Sequence, residues 1–373
     1  MKILFLALDI DMDGFAGDVV HVRAIAKTFA DLGNEVLLLV GDGSDNTRIP
    51  NVTIKVVKKK HTGTARFLDD LRAACVGIRW LRLSPERLIY ERRFSCKVGL
   101  LIKLFTNAPL GVEINGLVDG EAHAQGEAYR KARVWTLSWA DRIIAVAPGL
   151  AEALSKRYGL DRDRICVVSN GVDVEHFYPL EKSKYKPQCG FEPIDKIILF
   201  IGNFAGWYDL SLLIKAFSIV ASSIDDAKLV LIGDGKLMNE VRRQIHESEL
   251  VDRVVLTGRV DHSRIPDYIA ASDVCVAPFT KGVNEDGLSP MKLFEYLAVA
   301  RPVVASDVGG LDQYASKLPS LHLVEIENPV AFAEKILILL ANSKEEDALK
   351  SSEVIRNQYS WQQATLQILG SIK

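Results

Sequence analysis

Residues 285–310 read EDGLSPMKLFEYLAVARPVVASDVGG, and this stretch decides the fold. A glycine-bearing loop runs into an amphipathic helix with Pro290 at its first position, where the missing N–H costs nothing. A short β-rich run, RPVVAS, follows and ends on Asp307-Val-Gly309-Gly310. Loop, helix, buried strand and glycine turn in that order are one turn of a parallel α/β sheet. The amides of Leu288 and Ser289, next to Gly287, point an anion site at the positive end of the helix. Lys292 sits in the first turn, where it opposes the helix dipole, so a phosphate partner rationalises it. Glu295, three residues on and on the same flank, is placed to accept from a ribose diol.

The same alternation runs outward through all 373 residues. Apolar runs at 3–8, 35–40, 52–57, 87–90, 111–114, 142–146 and 165–168 predict the strands of one sheet, with helix-period segments between them. In residues 19–32, for example, Val22, Ile25, Ala26 and Phe29 recur at three and four residues ahead of Gly33-Asn34. Runs at 196–201, 229–232, 253–256, 274–277, 302–305 and 321–324 predict a second sheet. Between the two sets lies a polar stretch, 179–193, with Lys182, Lys184, Lys186 and three prolines, which reads as a connector. The expected fold is therefore α/β, with two Rossmann-like doubly wound domains facing a cleft. Residues 1–178 form the first, 179–195 the linker and 196–355 the second, with a terminal helix in 356–373 packing back on the first. Ligands of such sheets sit at the carboxyl ends of the strands.

Lys plus Arg number 46 against 48 Asp plus Glu, a net charge of −2, so no global field recommends nucleic acid as a partner. Cys75, Cys96, Cys166, Cys189 and Cys275 are scattered, with no C-x-x-C pair; they read as buried small apolar residues of a reducing compartment, without a metal cage. The opening MKILFLAL runs straight into Asp9, Asp11 and Asp13 and reads as a strand rather than a signal peptide. No apolar run approaches the roughly 20 residues of a spanning helix. The expected setting is cytoplasmic.

After the first strand, Asp9-Ile-Asp-Met-Asp-Gly14-Phe-Ala-Gly17-Asp18 resembles a calcium loop in spacing, but position twelve is Val20 instead of a bidentate glutamate. The preferred reading is a loop passing close to a ligand at Gly14 and Gly17, with Asp18 as helix N-cap. Glu113 and Asn115 end a strand and could read acceptor hydroxyls or cap the next helix. His123 is a candidate acid or base, with a structural histidine as the alternative. Asn170-Gly171-Val172-Asp173 has the character of a hinge.

The runs NGVD (170–173), GDG (233–235), TGRV (257–260) leading into Asp261-His262, ASD (271–273), and LSPMKLFEYLA through RPVVASDVGG together resemble the family 4 retaining glycosyltransferases of the GT-B fold. The resemblance spans nearly the whole chain. It implies a nucleotide-sugar donor held by the second domain and a glycan or lipid-linked acceptor held by the first. It implies no cofactor and no metal. By position Glu295 matches the second glutamate of the family's Glu-x7-Glu pattern, the one on the donor ribose. The first falls at Gly287, with Glu285 two residues earlier as its possible substitute.

The family also places an arginine and a lysine after the strand ending at Ile201, whereas this chain reads Gly202-Asn203-Phe-Ala-Gly206-Trp207-Tyr208-Asp209. Charge for the leaving diphosphate then falls to Lys292, with Arg259 second. The expected site is Lys292, Glu285 and His123 for chemistry; Gly14, Gly17, Asn203, Arg259, Gly287, Leu288, Ser289 and Glu295 for the donor; and Glu113 and Asn115 for the acceptor. The basic residues between Lys55 and Lys103, including Lys58-Lys59-Lys60 and Arg92-Arg93, with apolar 98–105 between them, would suit an anionic membrane face; ordinary solvated helix surface is the alternative. The competing function is a non-catalytic binder of sugar nucleotides or glycans on the same fold.

Overall fold

The structure, a computed structural model, describes residues 1–14, 17–43, 48–57, 63–93, 95–117, 127–282 and 287–372. It divides into two compact units, Met1–Asn170 with Trp361–Lys373, and Gly171–Ser360.

The first unit is built on β1 (Lys2–Asp11), β2 (Glu35–Asp42), β3 (Val52–Val56), β4 (Arg87–Arg92), β5 (Leu110–Ile114), β6 (Arg142–Ala145) and β7 (Ile165–Val167). Among the described residues these form one sheet in the order β3-β2-β1-β4-β5-β6-β7. All pairs are parallel, with Ile3 beside both Val36 and Leu88. Strands covered on both faces have no solvent side to mark with polar residues, so β1 is apolar from Ile3 to Leu8 without alternation. Helix Gly17–Asp31 buries Val22, Ile25, Ala26 and Phe29. Phe29 meets Phe5 and Tyr90 edge-on at 6.3 and 5.5 Å, a rigid aromatic knot under the helix.

The second unit holds β8 (Lys196–Ile201), β9 (Ala227–Ile232), β10 (Val254–Gly258), β11 (Val274–Ala277), β12 (Val303–Ser306) and β13 (Leu321–Val324). The order is β10-β9-β8-β11-β12-β13, again parallel. Helix Leu210–Ser223 is started by Asp209, whose carboxylate accepts from Leu212 N at 2.8 Å. Helix Pro329–Asn342 is started in the same way by Asn328 and Ala331 N, at 3.0 Å.

Three expectations need correction. Residues 179–195 are not a free connector: they belong to the second unit and contain helix Lys182–Gln188. Lys182 and Lys186 both reach Asp273, at 2.7 and 3.1 Å, and Arg301 donates to Leu180 O at 2.9 Å, so the lysines that looked like solvated charge are anchors. The chain instead leaves the first unit at Asn170 and returns after Ser360. Helix Glu345–Gln358 therefore stays with the second unit, and the helix that joins the first is Trp361–Ile372. It buries Trp361, Ile368 and Ile372, and Arg142 Nε donates to Ser371 O at 2.8 Å. Finally, Cys75 is exposed, while Cys96 and Cys275 are buried.

Candidate functional site

The second sheet reverses its winding between β8 and β11, and the loops leaving those strands define the crevice. After β8, Gly202 N donates to Ile232 O at 2.9 Å and Phe204 N to Asp234 O at 2.9 Å, while Gly233 N donates to Gly258 O at 2.9 Å. The three loops after β8, β9 and β10 are thus laced together through main chain. A side chain on Gly233 or Gly235, both at positive φ, would run into the backbone of Gly202 or Phe204, which explains the two glycines of the GDG run. Asn203 is left exposed at the rim.

Helix Met291–Ala298 supplies the charged groups. Lys292 Nζ donates to Ile201 O and lies over the rings of Tyr208 and Phe200, 3.8 and 4.6 Å from their centroids. From the same helix the buried Tyr296 hydroxyl accepts from Ile201 N at 2.8 Å, so residue 201 is gripped at both its amide and its carbonyl. A Cβ on Gly202 would collide with Lys292 Nζ. Burial among these groups pulls the Lys292 ammonium down to about 7, against the opposing pull of Glu295. A cation so poorly solvated regains its full charge when an anion arrives beside it.

Glu295 is largely buried, and its carboxylate faces His262 Nε2 at 3.6 Å. The Glu295 contact raises the pKa of His262 above its ordinary value despite partial burial. His176 stacks on His262 at 5.8 Å and its Nε2 lies 3.2 Å from His262 O. Arg259 is exposed and only loosely paired, 3.9 Å from Asp234.

The loop ahead of the helix differs from expectation. Leu288 N donates to Gly309 O at 2.9 Å, so its amide is unavailable to a ligand. Pro290 is the N-cap, with φ −86° and ψ 97°, rather than the first helical residue. Ser289 is buried, and Gly287 adopts φ 121°, a conformation open to glycine and strained for the glutamate of the family pattern. Glu285 lies outside the described residues, as does His123. Among the described residues, no group of three or more His, Cys, Asp or Glu could hold a metal ion.

In the first unit, the expected acceptor readers lie at the end of β5, with Glu113 buried inside the strand and the partly exposed Asn115 just beyond it. Glu113 is 2% exposed and accepts from His21 Nε2 at 3.0 Å, from the Tyr90 hydroxyl and from Asn115 Nδ2, with Arg92 Nε at 3.4 Å. Burial alone would raise its pKa, but His21 and Arg92 hold it down at about 2. Three of the carboxylate's roughly four acceptor positions are therefore taken inside the fold, so Glu113 is held as a buried anion, and Asn115 turns inward to it. His21 packs edge-on against Trp361 at 5.1 Å, tying this cluster to the returning helix. Gly14 closes a turn with its N–H on Asp11 O at 3.1 Å, and Gly17 opens the helix, which puts Asp18 inside the first turn instead of at the N-cap.

Sequence reasoning overlooked Tyr208, Tyr296 and His262 as site groups. The signal for the first two was aromatic residues beside the loop after β8 and beside Glu295, where a plain core reading served equally well.

Residues 195–342 match the family described as glycosyl transferases group 1, and residues 16–176 match glycosyltransferase family 4. A D-inositol 3-phosphate glycosyltransferase of Xylanimonas cellulosilytica is 26% identical over 240 residues, 61% of this chain and 56% of that protein. An uncharacterised glycosyltransferase of Methanocaldococcus jannaschii is 25% identical over 94% of this chain and 92% of its own length. The chain spans about half the length of the first curated relatives it matches, 56%, 38% and 51%. Among solved structures, Anabaena HepE in complex with UDP and glucose superposes with a TM-score of 0.80 at 19% identity, covering 100% of this chain and 99% of that one, and so shares its fold.

Proposed function

Since the chain belongs to the family 4 glycosyltransferases of the GT-B fold, we propose that it moves a sugar from a nucleotide-sugar donor to a glycan or lipid-linked acceptor with retention at the anomeric carbon. The observation that carries the reading is the pair Lys292 and Glu295 on one helix at the switch point of the second sheet. Glu295 takes the ribose diol of the donor. Lys292 and the first-turn amides of its helix take the diphosphate, in place of the arginine and lysine missing after β8. The bond from the anomeric carbon to the phosphate oxygen breaks, and its electron pair leaves with the diphosphate. The acceptor hydroxyl oxygen bonds the same carbon from the same face and gives its proton to the departing phosphate. The positive charge this step needs is that of Lys292.

A thermal-shift screen of nucleoside diphosphates tests the binding part, since a ligand at about 100 times its dissociation constant stabilises by about 2.7 kcal/mol. The matching nucleotide sugars are then assayed for turnover. Binding without any release of nucleoside diphosphate would favour the non-catalytic reading.

A seat on anionic membrane is supported by Leu104 and Phe105, 67% and 68% exposed at the end of helix Lys97–Thr106. The exposed rings of Trp135 and Trp139 add to it, and Lys103 Nζ donates to Trp139 O at 3.1 Å. Lys58-Lys59-Lys60 lie outside the described residues, and no helix among those described is long and apolar enough to cross a membrane. Flotation with anionic vesicles at low salt decides it, absence of binding ruling it out.

A further inference from the structure

The switch point of the first sheet lies between β1 and β4, and it carries two arginines the reaction above does not use. Arg92 ends β4 and Arg93 follows it, with side chains only 17% and 10% exposed. Arg92 Nε lies 3.4 Å from Glu113, and Arg93 Nε lies 2.9 Å from Asp9 near the end of β1. Both Nε atoms are buried without a hydrogen bond, and no hydrogen bond to a described residue uses the four Nη nitrogens.

Burying two guanidinium groups is costly unless their donors are matched. A purely structural pair would close its forks on carboxylates, as Arg243 does on Glu240 and Glu247. Arg92 lends Glu113 its charge but no hydrogen bond, and Glu113 already accepts from His21, Tyr90 and Asn115. Asp9 is 44% exposed and holds Arg93 from one side only. Two adjacent planar forks at a strand-end crevice, with their outer nitrogens open, match the geometry of a phosphate or carboxylate.

We propose that the first unit binds an oxyanion group of the acceptor, a phosphate or a carboxylate, on Arg92 and Arg93. The inference rests on the reading of this unit as the acceptor side. The acceptor then carries its own negative charge, and Asp9 is the intramolecular anion it displaces from Arg93.

The test is isothermal titration of the full chain with inorganic phosphate and with malonate. The second-unit site is first saturated with whichever nucleoside diphosphate stabilises the protein most. The expected result is binding of at least one probe, weakened about tenfold or more in Arg93→Gln and tightened severalfold in Asp9→Asn. Phosphate alone selects a phosphorylated acceptor, and malonate alone a carboxylated one. Two results overturn the inference: no binding of either probe, or Asp9→Asn weakening binding as Arg93→Gln does, which is the mark of a merely structural ion pair. A shift in melting temperature with nucleoside diphosphate confirms that each variant is folded. The glycosyltransferase reading fails separately, on nucleotide binding and sugar turnover.

Discussion

Lys292 is held by two aromatic faces and one carbonyl, with no carboxylate in direct contact among the described residues, and its charge is correspondingly weak. Its pKa of about 7 lies below the ordinary lysine range. Between pH 7 and roughly 10.4 the unfolded chain therefore holds a proton that the folded chain lacks, and ligand-free stability rises with pH across that window. A bound diphosphate restores the proton. Nucleoside diphosphate affinity should then fall as pH climbs from 7 to 9, and Lys292→Arg, which keeps its charge throughout, should flatten the profile. Calorimetry at three pH values checks this; an equal slope in both proteins would contradict it. Glu113 gives the same sign in an acid window, since its pKa is lowered as well. Its lowered pKa, about 2, contributes stability that is full above the ordinary glutamate range and lost as pH falls through 2. Glu113→Gln, which leaves Arg92 and His21 facing a neutral group, should cost about 3–5 kcal/mol in urea unfolding; a loss under about 1 kcal/mol would mean the cluster is not a unit. Neither environment was legible in the sequence, because the partners lie far away along the chain: His21 is 92 residues from Glu113, and Ile201 is 91 from Lys292.

At the scale of elements, the strands were readable for a physical reason. Parallel strands covered on both faces are continuous apolar runs, and Lys196–Ile201 and Ala227–Ile232 keep that signature almost to their ends. The stretch 179–193 failed because prolines and lysines mark a solvated connector only when nothing answers the charge. Asp273, 91 residues from Lys182, does answer it. The returning helix was expected to pack on the first unit and does so; the residue contacts that seat it were not legible. Gly111 in β5 leaves room for Ile372, and any side chain there would strike it. Gly111→Val should therefore loosen Trp361–Ile372, giving faster hydrogen exchange across that helix and a lower melting temperature. Unchanged protection in the helix would show that its seat does not depend on Gly111.

Over the whole molecule, each unit presents the carboxyl ends of its strands at one switch point, and each switch point carries basic groups: Lys292 in the second, Arg92 and Arg93 in the first. The fold class and helix Met291–Ala298, proposed to hold the donor, could be read from residues 285–310; the division of charge between the units could not, since burial and pairing decide which lysines and arginines have open donors. The central claim is that Lys292 stabilises the diphosphate as it leaves. The direct measurement is the rate of nucleoside diphosphate release from the matching nucleotide sugar in the presence of acceptor, for the wild-type chain and for Lys292→Met. The account predicts a fall in kcat of about 10²–10³, and wild-type kcat in Lys292→Met would contradict it.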